Sequence, residues 1–269
     1  MSTPSVSIIT VARNSAKYIE STLRSVISQT YPDIEYIVID GASTDGTQDI
    51  IEKYRDKLDY FISEHDTGIA EAMNKGAAQA QGDYLLFLNS DDYLLHDNVI
   101  EQAATDIAED RHDVHIFRVR FLYEDGRTIN SLIHGLGLLT IFKMGSCHQG
   151  QLVSRQRFND LGGFDTSLRI NFDYDLLLRA WRAGARSCSH ERVLSVMRQV
   201  GISSRRDWQG FMERYREEKV VHFKNCQSWA MRLVYHCYWT LYIPYRFIRY
   251  ILIAFNRRFI KNKSIRVLQ

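Results

Sequence analysis

Two adjacent carboxylates, Asp91 and Asp92, follow the apolar run Tyr84-Leu85-Leu86-Phe87-Leu88 and the pair Asn89-Ser90. The run reads as a buried strand, and a turn at its end can splay both acids into one crevice. In open parallel sheets, the crevice beyond the carboxyl ends of the strands is where ligands sit. Two carboxylates there repel each other unless something positive joins them. A hard divalent cation carrying a phosphate ligand meets that need. The same Ser-Asp-Asp also suits an acidic turn capping the helix that follows, so the motif gains weight only from its neighbours.

A second acidic strand end lies upstream, in Val38-Ile39-Asp40-Gly41-Ala42-Ser43-Thr44-Asp45-Gly46-Thr47. Asp40 can accept hydrogen bonds from a nucleobase N–H or a ribose hydroxyl, and the small residues after it let a ligand approach. Thr44 and Asp45 are assigned to the turn and to capping the next helix. The first strand ends in Val11-Ala12-Arg13-Asn14, without the G-x-G-x-x-G of a dinucleotide site, and no G-x-x-x-x-G-K-[ST] occurs. NAD, FAD and P-loop chemistry are therefore disfavoured.

Positioning these acids takes an alternation of strands and helices. Strands are expected over 5–11, 34–39, 59–63 and 84–88. Helices are expected from a cap at Asn14 through Tyr18, Ile19, Leu23, Val26 and Ile27, from Thr44 or Asp45 through Ile50, Ile51 and Tyr54, and over 69–80. That rhythm predicts a parallel sheet with right-handed crossovers. Beyond Asp92 it changes. A helix over 98–108 leads to an alternating strand over 114–123 that suits antiparallel pairing, and the glycine-punctuated stretch 132–144 reads as a loop over a cleft. A helix is expected over 172–183, with Leu176, Leu177, Ala180 and Trp181 inward and Gly184 past its end.

A chain of 269 residues holds one large α/β domain plus an extension. With 45% apolar and 25% charged residues, three prolines and no repeat, it is of ordinary globular composition without long disordered linkers. Cys147, Cys188, Cys226 and Cys237 lack metal-ligand spacing, so neither zinc nor a disulfide framework is expected. The strand-like run close to Met1 predicts no signal peptide.

Charge is unevenly placed. Residues 205–269 carry 14 Lys/Arg against 4 Asp/Glu, a net +10 that leaves −8 on the rest of a chain of formal charge +2. From Asn225 to Gln269 there are eight Lys/Arg, ten aromatics and no acid. The stretch Trp229–Phe255 is interrupted by Arg232, His236, Pro244, Arg246 and Arg249, so it is expected to lie on an anionic membrane surface rather than to cross it. Helices packing on the domain are a compatible alternative. Nothing in the tail resembles a nucleic-acid-binding module, and no nucleic-acid partner is expected.

Four motifs in order carry a resemblance. They are Ser5-Val6-Ser7-Ile8-Ile9-Thr10, Asp40 to Thr47, Asp66-Thr67-Gly68-Ile69-Ala70-Glu71-Ala72-Met73-Asn74-Lys75-Gly76, and Leu88-Asn89-Ser90-Asp91-Asp92. Together they resemble the family 2 glycosyltransferases with the GT-A fold, especially bacterial enzymes building exopolysaccharide, colanic-acid-type or O-antigen units. The resemblance implies an α/β domain over 1–205, a Rossmann-like mixed sheet flanked by helices. Its nucleotide-sugar half would lie over 1–95 and its acceptor half over 96–205, with a basic, aromatic, amphipathic helical extension over 206–269.

It also implies roles. Asp40 binds the base of the donor nucleotide, Val11 and Ala12 face that base with their backbone, and Asn74 lines the donor site. Asp91 lies near the ribose or donor sugar, and Asp92 holds the metal, Mg²⁺ or Mn²⁺. The catalytic carboxylate falls on Asp173 in Asn171-Phe172-Asp173-Tyr174-Asp175, with Asp175 as runner-up and Phe172 where the family usually has Glu. Both acids also suit a helix N-terminus, where the macrodipole favours them by ~0.3–1 kcal/mol. His148 and Gln149 match an acceptor-side pair, and residues 201–206 resemble a loop that closes over a diphosphate.

These readings predict a metal-dependent, inverting hexosyltransferase using a UDP-, GDP- or dTDP-sugar. Its acceptor would be a saccharide, lipid-linked, in bacterial cell-surface polysaccharide synthesis such as that of lipopolysaccharide. The protein would be cytoplasmic, peripheral on the inner face of the cell membrane. Phe172 keeps open a catalytically silent nucleotide-sugar-binding or scaffold protein. A sugar nucleotidyltransferase would need glycines that residues 11–17 lack.

Overall fold

A computed structural model describes residues 3–200 and 207–266, with side chains up to residue 252. The loop expected over 201–206 lies outside the described residues. The chain divides into two compact units, residues 1–205 and 206–269.

In the first unit, β1 (Val6–Ala12), α1 (Ile19–Ile27), β2 (Ile34–Asp40), α2 (Thr47–Glu52), β3 (Tyr60–Ser63), α3 (Ile69–Gln79) and β4 (Tyr84–Asn89) alternate along the chain. Then come β5 (Tyr93–Leu94), α4 (Val99–Glu109), β6 (Val114–Leu122), β7 (Thr128–Asn130), β8 (Gln151–Ser154), α5 (Arg155–Asp160), α6 (Phe172–Arg182) and β9 (Ser187–Arg198). Among the described residues they form a nine-stranded sheet of order β3-β2-β1-β4-β8-β6-β9-β5, with β7 paired to β6. The first four strands are parallel. β8 then runs antiparallel to both β4 and β6. This is the mixed sheet flanked by helices that the sequence predicts.

Three expectations change. β6 is antiparallel to β7 and β8 but parallel to β9. β9 itself was not anticipated, because its first half, Ser187-Cys188-Ser189-His190-Glu191-Arg192, is polar and only partly covered. The expected caps also move. α1 starts without a side-chain cap, and Asn14 instead takes a left-handed φ of 51° and accepts from the Thr44 N–H at 3.0 Å. α2 starts after Gly46, while Asp45 accepts from the Thr47 and Ala16 N–H groups. The loops at 13–16 and 41–47 meet at the carboxyl edge of the sheet, so their polar groups satisfy each other, and Asp45 also serves the start of its own helix as expected.

Strand alternation gives the sheet two apolar faces. Ile8, Val38 and Leu86 pack with Leu23 and Val26 of α1 and with Ile100 and Ala103 of α4. On the other face, α3 comes close through Gly76, where a Cβ would stand 2.4 Å from Ile9 Cγ2.

In the second unit, α7 (Trp208–Lys224) is capped by Asp207, which accepts from the Gly210 N–H at 3.0 Å. It packs on α8 (Trp229–Arg266) through aromatic rings. Trp239 Nε1–H donates to His222 Nδ1 at 3.0 Å, and the His222 and Tyr235 rings stack at 4.5 Å.

His115, in β6, is fully buried in the first unit. The His112 N–H donates to its Nε2 at 3.1 Å, and its Nδ1 meets His190 Nε2 at 3.0 Å. A ring that accepts at Nε2 is neutral, and burial followed by the neighbouring imidazoles lowers its pKa to about 3. Between that value and the ordinary 6.5 the unfolded chain holds a proton that the folded chain does not, so stability falls as pH drops through this window. At pH 5 the loss is about 2 kcal/mol. The fall in melting temperature between pH 7 and pH 5 is expected to be smaller in His115→Phe than in the wild type. An equal fall in both would show that this ring is not the titrating group.

Candidate active site

The carboxyl edge of the parallel strands gathers the acids. In register, Ala12 stands beside Asp40, and Val11 between Ile39 and Asn89. Strand order reverses at this point, with β2 on one side of β1 and β4 on the other, which opens a crevice between the strand ends. Val11 and Ala12 use their carbonyls to hold its walls, accepting from the Ser90 and Gly41 N–H groups.

Asp40 is not the open acceptor that was expected. It is fully buried, and its carboxylate accepts from the Ser43 N–H, the Ser43 hydroxyl and the Ser63 hydroxyl. The acid beside Gly41 is Asp66, only 9% exposed, which sequence reasoning left without a role. It makes no hydrogen bond among the described residues, and its Oδ2 lies 2.3 Å from where a Gly41 Cβ would stand. Glycine at 41 is what admits it. The only sequence clue was Asp66 opening the third motif. Asn74 is also differently employed: its amide donates to the Phe164 carbonyl and accepts from the Phe164 N–H. It clasps α3 to the 163–164 corner.

The acid pair sits in a tied turn. Thr22 Oγ1 donates to the carbonyls of Ser90 and Asp92 at 2.9 and 2.6 Å. Asp92 is 1% exposed, accepting from Gln149 Nε2 at 2.8 Å and from the Arg198 N–H at 3.1 Å. Asp91 is half-buried and the more accessible of the two. Burial raises both carboxyl pKa values, Asp92's well above the ordinary range, with the charge of Asp91 adding to it. Arg198 was also missed, because its strand was missed. Its guanidinium donates to the Asp91 carbonyl and lies over the Tyr18 and Tyr93 rings.

Three consecutive residues join this pair to Asp173. Gln149 reaches Asp92. His148 places Nδ1 3.1 Å from Asp173 Oδ2 and Nε2 3.4 Å from Asn89 Oδ1. Cys147 feels both acids: burial first, then the charges of Asp173 and Asp92, push its thiol up to about 12. Asp173, first in α6 after Phe172, is buried, with Oδ1 accepting from the Tyr174 N–H at 2.8 Å. Asp175, the runner-up, is fully buried in an ion pair with Arg179 at 2.7 Å. Phe172 packs against the Phe164 and His148 rings, so the residue standing where Glu is usual wedges His148 in place.

These groups fit a cation in one specific sense. Two raised carboxyls in a shared turn are short of positive charge, and the buried Gln149 Oε1 beside them has no partner. Among the described residues no cluster of three or more His, Cys, Asp or Glu could hold a metal alone. A cation here would complete its oxygen shell with substrate phosphate and water, as Mg²⁺ commonly does.

Known proteins resemble this chain in sequence and fold. Residues 7–163 match the family model described as Glycosyl transferase family 2. The chain is 37% identical over 142 residues to the putative teichuronic acid biosynthesis glycosyltransferase TuaG of Bacillus subtilis (strain 168), covering 51% of this chain and 55% of TuaG. It is 30% identical over 190 residues to a PGL/p-HBAD biosynthesis glycosyltransferase of Mycobacterium tuberculosis (strain ATCC 25177 / H37Ra), covering 67% and 71%. Among solved structures, S. aureus TarS 1-349 in complex with UDP-GlcNAc superposes with a TM-score of 0.65 at 23% identity, over 81% of this chain and 66% of that one. The mannosyltransferase PcManGT from Pyrobaculum calidifontis, in complex with GDP-Man and Mn²⁺, gives 0.66 at 18% identity, over 91% and 72%. The chain thus spans little more than half the length of TuaG.

The bridge depends on Gly150, where a Cβ would stand 2.5 Å from the Phe117 carbonyl oxygen, an atom fixed in β6. Gly150→Ala is expected to lower stability by about 1–3 kcal/mol in denaturant titration. Gly137→Ala, with no atom nearer than 4.0 Å, is expected to leave it unchanged. Equal midpoints for both variants would refute the tight packing of the bridge.

Proposed function

The chain belongs to glycosyl transferase family 2 and has the GT-A fold, and from that premise we propose that it is an inverting hexosyltransferase. Its donor is a UDP-, GDP- or dTDP-sugar and its acceptor a saccharide hydroxyl in bacterial cell-surface polysaccharide synthesis, lipopolysaccharide among the candidates. The observation that carries this is the His148 bridge, which brings Asp173 and the acid pair into one site from opposite halves of the sheet. TarS and PcManGT, of the same fold, are solved with UDP-GlcNAc and with GDP-Man and Mn²⁺, which supports a nucleotide-sugar donor.

Asp173 accepts the proton of the acceptor hydroxyl as that oxygen attacks the anomeric carbon. The bond from the anomeric carbon to the donor diphosphate breaks on the opposite face, its electron pair leaving with the diphosphate, so configuration inverts. His148 orients the Asp173 carboxylate. Asp91, with Asp92 behind it, would hold Mg²⁺ or Mn²⁺. When bound, that metal offsets charge developing on the leaving diphosphate. Asp66 offers the nucleoside an acceptor with no hydrogen bond to the described residues, while Asp40, Val11, Ala12 and Asn74 shape the donor end from behind. Gln149 keeps Asp92 in place on the acceptor side.

The acceptor is proposed to be lipid-linked and the protein peripheral on the cytoplasmic face of the membrane. The support is the basic, aromatic second unit, together with the finding that no helix among the described residues is long and apolar enough to cross a membrane.

Asp173→Asn should lower sugar transfer by about 10²–10⁴-fold, the usual weight of a general base. Nucleoside diphosphate affinity should stay within about threefold, because the substitution is nearly isosteric and lies off the acid pair. Turnover of a donor panel with Mn²⁺ and calorimetric binding check the two halves. Full activity in the variant would remove Asp173 from the mechanism. Nucleotide binding without turnover of any donor would favour the scaffold reading.

A further inference from the structure

One face of α8 is apolar, continuous and uncovered. Trp229, Leu233, Leu241, Tyr245, Ile248 and Leu252 are each 55% to 80% exposed. Their spacings of three, four and eight residues place them on one side of a helix of 3.6 residues per turn, over about 35 Å. The other side is the packed one: Tyr235 and Trp239 are buried against His222 of α7. A helix that has buried its aromatic face yet keeps a second apolar face in water has a further partner to meet.

Charge selects that partner. Arg232, Arg246 and Arg249 lie on the described part of α8, five more Lys/Arg follow in sequence, and no acid occurs from Asn225 to Gln269. Arg232 lies over Phe223 of α7 and Arg246 over Phe211 and Tyr215, so it is the net positive charge of the helix, with no carboxylate in it to offset that charge, that works against a second copy. An anionic bilayer supplies phosphates to the cations and an acyl boundary to the apolar side chains, with Trp229 and Tyr245 suited to headgroup depth.

We propose that α8 lies in the plane of an anionic membrane on its Trp229-to-Leu252 face. This rests on the membrane-surface location proposed above and assigns it residues.

The test is co-sedimentation of the full-length protein with phosphatidylcholine vesicles and with vesicles containing about 30 mol% phosphatidylglycerol. The wild type should bind the anionic vesicles and not the neutral ones, and more weakly at high salt. Leu241→Glu/Ile248→Glu should reduce binding by about tenfold or more, with an unchanged far-UV spectrum because both sites are exposed. Gln227→Glu, the same kind of charge change in the segment before α8, should leave binding within about twofold. Wild-type binding by the double variant would overturn the proposal. So would a lipid-free wild-type dimer in ultracentrifugation that the double variant dissociates, since the face would then be a self-interface. Sugar transfer is not read at any step, so failure here leaves the transferase reading standing. Conversely, a silent enzyme that still binds these vesicles would leave the proposal intact.

Discussion

A charge deficit at the end of β4 is the constraint on which the site depends. Asp91 and Asp92 share one turn, buried enough that both carboxyls are pushed above the ordinary range. A buried carboxylate is tolerated only where donors replace the water it has lost. Asp92 finds them in Gln149 and the Arg198 backbone, and in doing so it ties the end of β4 to the turn before β8 and to β9. Thr22 fixes the same turn to α1. The guanidinium of Arg198 reaches the Asp91 carbonyl, not its carboxylate. The Asp91 carboxylate is the less satisfied of the two, and the proposed cation would meet it there.

The sheet explains why this turn can meet a distant carboxylate. β1 to β4 are parallel and bring their carboxyl ends to one edge. β8 then runs antiparallel to β4, so the residues leading into it, Cys147 to Gly150, arrive at that same edge from the other half of the molecule. His148 spans the remaining gap between Asn89 and Asp173. Phe172 steadies the ring from the apolar side, which gives a packing reason for an aromatic residue there. The acid pair and Asp173 are thus tied together by one short turn.

Much of this was legible in the sequence. Strands built on apolar runs, such as Tyr36 to Ile39 in β2 and Tyr84 to Leu88 in β4, declared themselves because both faces of a central strand are buried. The helix bearing Asp173 was legible from its spacing. β9 was not, since its polar first half hides the apolar Val193 to Met197 that follow. With β9 went Arg198, whose role depends on where that strand ends. The tasks of individual acids were also hidden. Asp40 and Asp66 both follow strands, and only the fold shows Ser43 and Ser63 occupying one while a glycine makes room for the other. Side-chain partners drawn from residues 23 to 106 positions away leave no local trace.

The acid-pair site is tested most directly by calorimetric titration of Mn²⁺ into the protein with and without a saturating nucleoside diphosphate, in the wild type and in Asp91→Asn. The expected result is metal binding that appears only with the diphosphate and weakens by about tenfold or more in the variant. Mn²⁺ bound equally tightly without nucleotide, or unaffected by loss of the Asp91 carboxylate, would contradict it.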